Sequence, residues 1–354
     1  MAYVIASNIS ALFAKAETTP GSFEAPAGAD AIRVVGSPKF TPRGAQLIAR
    51  ADVMSPYGGA QASARGSLGW DITFQTELYF DASVTMPSGG ANGFLNQFIA
   101  NSRLATLFAA TPLGVSVTPT DTLNAYMQPI YLITGSTTRT GPLNCSIQPC
   151  TIVYEEQGGN RYAAIGCVGT FKISADYGQR MLIDWTFKGL WQDPSQSADL
   201  APVWNENAID TYPRVMVNAA VTLPYTNAVT AVTKFAFDPG YALTDVGNSI
   251  ATNGMAIAMV ALTNAPTIDL EVADLPQGVQ DDWSEALLGV NQAYNPTVVS
   301  LDFGGTASMT FALPNSQVML PVPADRDGYR ALGLKFIHVS TSASNAYITF
   351  TADP

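Results

Sequence analysis

Apolar and polar residues alternate along residues 70–80 (WDITFQTELYF). Trp70, Ile72, Phe74, Thr76 and Leu78 fall on one side, and Asp71, Thr73, Gln75 and Glu77 on the other. A period of two belongs to a strand with one buried face. Short runs of β-branched and aromatic residues bounded by turn residues predict further strands at 31–40, 125–134, 151–156, 161–173 and 180–191. The second half repeats the pattern at 232–243, 267–273, 297–303, 306–313, 329–340 and 346–351. Two stretches have helical spacing instead. Residues 92–110 line up Leu95, Phe98, Ile99, Leu104, Leu107 and Phe108, which predicts a helix packed on a sheet. Residues 281–290 (DDWSEALLGV) predict a second, with two acids at the end where the helix dipole favours them.

The two halves follow one order: strands, a single helix, a hairpin with a Gly-Gly turn, then a long final strand. TIVYEEQGGNRYAAIG and ADYGQRMLIDWTFKGL in the first half answer to VVSLDFGGTASMTFAL and ADRDGYRALGLKFIHV in the second. Asp176 precedes Phe187 by 11 residues, and Asp325 precedes Phe336 by the same 11. This order argues for duplication of one fold. At roughly 150 residues per domain, a chain of 354 residues also favours two domains. The expected division is an N-terminal arm at 1–30, a first β domain at 31–192 with a long excursion at 41–69, a polar linker at 193–213, and a second β domain at 214–354.

Composition narrows the classes. Charged residues make up 13% and hydrophobic residues 47%, with a net charge of −11. That much apolar surface excludes intrinsic disorder, and the scarcity of clustered Lys and Arg argues against a grip on phosphates. An exterior this poor in charge points to surface covered by other subunits. Residues 1–16 lack the basic start of a signal peptide, and no run of about 18 apolar residues predicts a membrane anchor. Cys145, Cys150 and Cys167 match no zinc spacing; Cys167 reads as a buried thiol, and a Cys145–Cys150 bridge stays open.

Three stretches carry a resemblance. They are the opening arm FAKAETTPGSFEAPAGADAIRVV, the segment 41–69 leading into WDITFQTELYF, and GGNRYAAIGCVGTFKISADYGQRMLIDWTFKGLWQDPSQSADLAP. Their order resembles that of major tail tube proteins of long-tailed (siphovirus-type) bacteriophages. The likeness covers most of residues 11–202, and the second half joins it through the internal repeat.

The resemblance implies a mainly β fold of two tail-tube-type sandwich or partial-barrel domains, each with one flanking helix. It implies rings that stack into a conduit for genome ejection, in a virion tail made in the bacterial host cytoplasm. A duplicated chain gives homotrimeric pseudo-hexameric rings, whereas a tube domain plus an outer decoration domain gives homohexamers. Tape-measure and tail-terminator proteins are the implied partners, and duplex DNA passes without specific binding.

Charge placement adds to this. Residues 1–200 carry 12 bases and 14 acids, residues 201–354 carry 5 and 14, and 235–325 hold ten acids and no base. In a tube, Asp269, Glu271, Asp274, Asp281, Asp282 and Glu285 are candidates for an acidic lumen or docking surface. Arg43, Arg50 and Arg65, in a window with Asp52 as its one acid, are candidates for contact with the next ring. A solvated acidic face that keeps the protein soluble is the plain alternative.

Enzymatic signatures fail one by one. His338 is the only histidine, no Gly-x-Ser-x-Gly elbow is present, and Gly89, Gly90 and Gly93 lack the residues of a phosphate loop. The sequence 325–328 (DRDG) lacks the remaining ligands of a calcium loop and reads as a turn. Glu155 and Glu156 are adjacent on a strand and point to opposite faces. Trp185, Phe187 and Trp191 alternate and read as core or subunit packing. The sequence therefore reads as a non-enzymatic structural subunit with no cofactor. A tube of a secretion or contractile particle, and a secreted carbohydrate-active β protein, are the competing readings. Charge reversal at Arg50 and Arg65 together is expected to weaken ring stacking; unchanged assembly at physiological salt would remove that assignment.

Overall fold

The computed structural model describes residues 10–44, 47–48, 64–65, 68–78, 104–111, 113–117, 123–127, 148–156, 160–193, 200, 202, 215–223, 231–249, 254–260, 265–273, 296–302, 308–313, 315–326, 329–339 and 347–351. In chain order the first half contributes β1 Ser10–Ala16, β2 Ala31–Ile32, β3 Val35–Arg43, β4 Leu47–Ile48, β5 Ala64–Arg65 and β6 Gly69–Glu77. The helix α1 Ala105–Ala109 follows, then β7 Leu113–Val117, β8 Leu123–Met127, β9 Cys150–Glu156, β10 Asn160–Asp176 and β11 Leu182–Gln192. The second half adds β12 Asn218–Thr222, β13 Ala231–Asp238, β14 Ala242–Ser249, β15 Gly254–Val260 and β16 Thr267–Ala273. It ends with β17 Thr297–Asp302, β18 Ser308–Leu313, β19 Ser316–Val318, β20 Val322–Arg326, β21 Tyr329–His338 and β22 Tyr347–Thr351.

The fold is mainly β. Twelve strands share one sheet whose path runs β19–β21–β16–β13–β10–β11–β6–β3, with β20 on β21, β9 on β10, β1 on β9 and β2 on β1. Six more form a second sheet, β12–β17–β18–β22–β8–β7. Both sheets draw strands from both halves of the chain, so the polar stretch after β11 does not mark a break in pairing. Both Gly-Gly hairpins form, but β9–β10 lies in the large sheet and β17–β18 in the small one. The predicted helix at 92–110 is described only over its last turns, where α1 forms, and the helix predicted at 281–290 lies outside the described residues.

Alternation along β6 is as the pattern predicts: Trp70, Ile72, Phe74, Thr76 and Leu78 are all buried. Thr76, a polar residue in an apolar row, has a reason to be there, because the indole N–H of buried Trp185 donates to its Oγ1 at 2.9 Å. Phe108 of α1 stands edge-on to Trp185 and Phe171, with ring centroids 4.9 and 5.4 Å away. Phe108 thus packs α1 onto the apolar face of the first half. Over the second half the small sheet does the same, with Phe311 against Phe235 and Phe237 at 4.5 and 5.3 Å. Burying each such ring stabilises the fold by about 1.5–3 kcal/mol.

β10 organises the sheet. β11 pairs along one of its edges from Ala163 to Ser174. β9 takes the other edge as far as Cys167, and β13 takes it from Ile173 onward. In the gap between them the Gly169 amide donates to the Ala110 carbonyl at the end of α1, at 2.9 Å. A Cβ on Gly169 would lie 2.3 Å from the buried Phe187 ring.

A second glycine on β10 serves a bulge. Gly166 has φ 59°, and both neighbouring ladders shift register around it. Released from the ladder, its amide donates to Glu17 Oε1 at 2.6 Å. The other Glu17 oxygen accepts from the Gly21 amide at 2.6 Å, and the Thr151 hydroxyl donates to Oε1 at 3.0 Å. One buried carboxylate therefore ties the loop after β1 to β9 and to the β10 bulge. Burial raises the Glu17 pKa, against the lowering effect of these three hydrogen bonds.

Two outcomes are expected. Gly169→Ala should lower stability by about 1–3 kcal/mol through overpacking against Phe187, read as a lower urea midpoint at unchanged slope. Because the folded-state pKa of Glu17 is raised, ionised Glu17 costs stability above that pKa, and the cost fades as pH falls toward the ordinary carboxylate range. The stability of the wild type relative to Glu17→Gln should therefore rise as pH is lowered from 7, measured by denaturation across pH. A fall over the same interval would contradict the assignment.

Candidate functional site

With the apolar rows of β6, β11, β10, β13, β16 and β21 turned to the core, period two sends the alternate residues to the opposite face. That face is polar, and its charges pair across neighbouring strands. Lys172 on β10 meets Asp238 on β13 at 2.7 Å, and Lys234 on β13 meets Glu271 on β16 at 3.8 Å. Lys335 on β21 meets Asp269 on β16 at 3.3 Å. At the other end of the sheet Arg180 pairs with Glu77, and the Gln75 amide donates to Asp184 at 2.9 Å. Exposed pairs of this kind contribute about 0–1 kcal/mol each. Their main effect is to cancel local charge, so that the face does not act as a cation patch.

Asp269 and Glu271 lie on this face, each matched by a lysine. The run of acids between Phe235 and Asp325 looked unopposed in sequence, but Lys234 and Lys335 reach it from the flanking strands β13 and β21. These lysines and Lys172 were not singled out from the sequence; the signal was their strand parity, which gains meaning only once the strand order is known. Asp274, Asp281, Asp282 and Glu285 lie outside the described residues.

Of the three arginines, Arg43 is on β3 with its side chain 11% exposed, 3.2 Å from Asp71 and with Nη2 donating to the Gly189 carbonyl at 3.4 Å. Burial lowers its pKa, and Asp71 opposes that shift. Arg43 is therefore engaged within its own sheet. Arg65 is on β5, opposite Leu47 of β4. Arg50 is outside the described residues.

The remaining candidate groups have structural partners. His338 is buried, with Nδ1 3.0 Å from the Asn315 carbonyl oxygen. Glu155 is buried beside Arg161 at 3.3 Å and accepts the Leu200 amide at 2.9 Å, which docks part of the linker on β9. Cys150 and Cys167 are buried free thiols opposite each other on β9 and β10, and burial raises both pKa values. Cys145 lies outside the described residues. Trp185 and Phe187 are core residues, and Trp191 packs against the core. Among the described residues no three His, Cys, Asp or Glu side chains gather as a metal site, and no helix is long and apolar enough to cross a membrane.

The main path of the large sheet has two ends, and a branch from β10 through β9 and β1 ends at β2. At one, β3 pairs with β6 and with no other described strand; at the other, β19 and β20 lie in succession along one edge of β21. Prolines sit on both, Pro38 and Pro42 on β3 and Pro323 on β20, as is usual on edge strands, where a missing N–H breaks no ladder. Both ends also expose apolar side chains. Val35 of β3 is 40% exposed, and Met319, Leu320 and Val322 are 45%, 52% and 64% exposed.

The strands between those ends fall into two sets with one register. Phe40, Ile72 and Phe187 stand side by side on β3, β6 and β11. Phe237, Ile268 and Phe336 stand side by side on β13, β16 and β21. Superimposing these rows brings Lys39 onto Ala236, Gly169 onto Val318 and Ser174 onto Ala324. A scan against protein-family models found no match for this chain, and a search of curated proteins found none either.

Proposed function

We propose that this protein is a structural subunit of a bacteriophage tail tube, built from two copies of one β unit. Its work is assembly into rings that stack around a passage for DNA. The observation that carries this reading is a single sheet running through both halves of the chain, apolar on one face and charge-paired on the other.

Duplication is supported by strand order and by register together. β3–β6–β11–β10 is followed along the sheet by β13–β16–β21–β20, and the rows through Phe40 and Phe237 align residue for residue. Slipping by one residue would turn every apolar side chain to the wrong face, so both sets hold the same apolar parity, and the shared strand order adds to it as support for duplication.

The polar face suits a passage for a polyanion. Binding to DNA by counterion release needs cations free to contact phosphates. Lys172, Lys234 and Lys335 are each held by a carboxylate, which leaves little attraction for the backbone of a passing duplex. The apolar face is covered by α1 and the small sheet, which would form the outside of the tube wall.

Negative-stain electron microscopy of the purified chain tests this reading. Rings or tubes with a central opening wide enough for duplex DNA are expected. Monomers persisting at high concentration would count decisively against it.

A further inference from the structure

The joint between the two four-strand sets lies inside the chain and can be read in full. β10, the last strand of the first set, pairs antiparallel with β13, the first strand of the second. Ile173 faces Phe237, Ser174 faces Ala236, Ala175 faces Phe235 and Asp176 faces Lys234. Continuing the register one step brings together Lys172 and Asp238, which form the 2.7 Å ion pair. One set thus presents its last edge to the first edge of the next set, a head-to-tail contact that uses two different surfaces. Such a contact leaves the same two surfaces unused at the ends of the array, so it can propagate until it closes a ring. Here the surfaces to which no further described strand pairs are the first edge of the first set, β3, and the last edge of the second, β20 with β19.

We propose that a second copy of this chain docks its β3 edge on β20, in the register that β10 and β13 use internally. The inference rests on the tube reading for closure of the ring, and it adds to that reading the strands and residues that meet. Carrying the internal register across sets Pro323 opposite Phe40 of the next chain, Ala324 opposite Lys39 and Val322 opposite Thr41. The exposed Val322 then gains a β-branched neighbour at the place where the internal joint has its ion pair; such cross-strand pairs are favourable.

Proline shapes the joint. Pro323 has no N–H, so its pair with Phe40 holds at most one backbone hydrogen bond instead of two. The next outward pair sets Asp325 against Pro38, with the same limit. Each proline carbonyl is left to accept from a partner that does carry an N–H. A strand without matching prolines would gain no more from this edge than the correct one does, which disfavours indiscriminate edge pairing. The exposed Val35, Met319 and Leu320 supply apolar surface at the same two ends.

Cysteine cross-linking tests the register directly. Lys39 is exposed and Ala324 half-buried, so neither substitution disturbs the core. Directly opposed residues in antiparallel strands lie about 4.5–5.5 Å apart at Cα, within the range a disulfide spans. Ser174→Cys with Ala236→Cys, the equivalent internal pair, is the control and should form a disulfide within one chain. Mixing chains that carry Lys39→Cys with chains that carry Ala324→Cys should give a dimer band on non-reducing gels under mild oxidation. Either variant alone should not, and circular dichroism should match the wild type.

Placing both substitutions in one chain should yield covalent oligomers. Rings or tubes that assemble without this cross-link, while the internal pair closes, would overturn the joint and leave the tube reading standing. Cross-linked chains that never form rings would uphold the joint and overturn the tube reading. Absence of both particles and cross-link would overturn both.

Discussion

A strand has two edges, and β10 is asked to serve three strands with them. Backbone N–H and C=O groups buried in a sheet must be paired, so the long free stretch opposite β11 has to be divided. The bulge at Gly166 ends the pairing with β9, the amide of Gly169 is satisfied by the last carbonyl of α1, and β13 takes over from Ile173. This division sets where the helix docks, where the second half of the chain begins its sheet, and how the N-terminal loop is anchored through Glu17. Remove it and the large sheet no longer joins the two halves.

Once the sheet is continuous, side-chain parity sorts everything else. Every second residue faces the core, where Trp185, Phe187, Phe235 and Phe336 are buried. The others form a polar face whose charges cancel between adjacent strands. The acidic balance of the second half is thus largely unexpressed on this face, because Lys234 and Lys335 neutralise Glu271 and Asp269. On this face Lys172, Lys234 and Lys335 are each paired with a carboxylate on a neighbouring strand. The exposed apolar residues on β3 and around β19 and β20 lie instead at the sheet ends, where a partner strand would cover them.

Most of the strands were legible because they are long, alternating and bounded by turn residues. β16 begins and ends where its pattern does, and β6, β9, β17, β18 and β22 agree to within a few residues. β1 was read as an arm because its run, SALFAKA, is short and interrupted by Lys15; pairing with β9 makes it a strand. β19 and β20 were missed for a similar reason, since the prolines around Met319 and Leu320 interrupt the apolar run. Arg43 was legible as a base in a basic window but not as a partner of Asp71, which depends on the β3–β6 register. Sequence proximity cannot report contacts made across strands.

Local chemistry was enough to say that this chain is mainly β and that its strands bury one face. Those properties follow from residue spacing within a few positions, where sterics and side-chain parity act directly. Which lysine meets which acid, why Thr76 interrupts an apolar row, why Gly169 has no side chain and where the sheet is left open all depend on residues far apart in the chain. They were decided by the shared edge of β10, because only the folded sheet brings β9, β13 and α1 to one strand and leaves β3 and β20 at its ends.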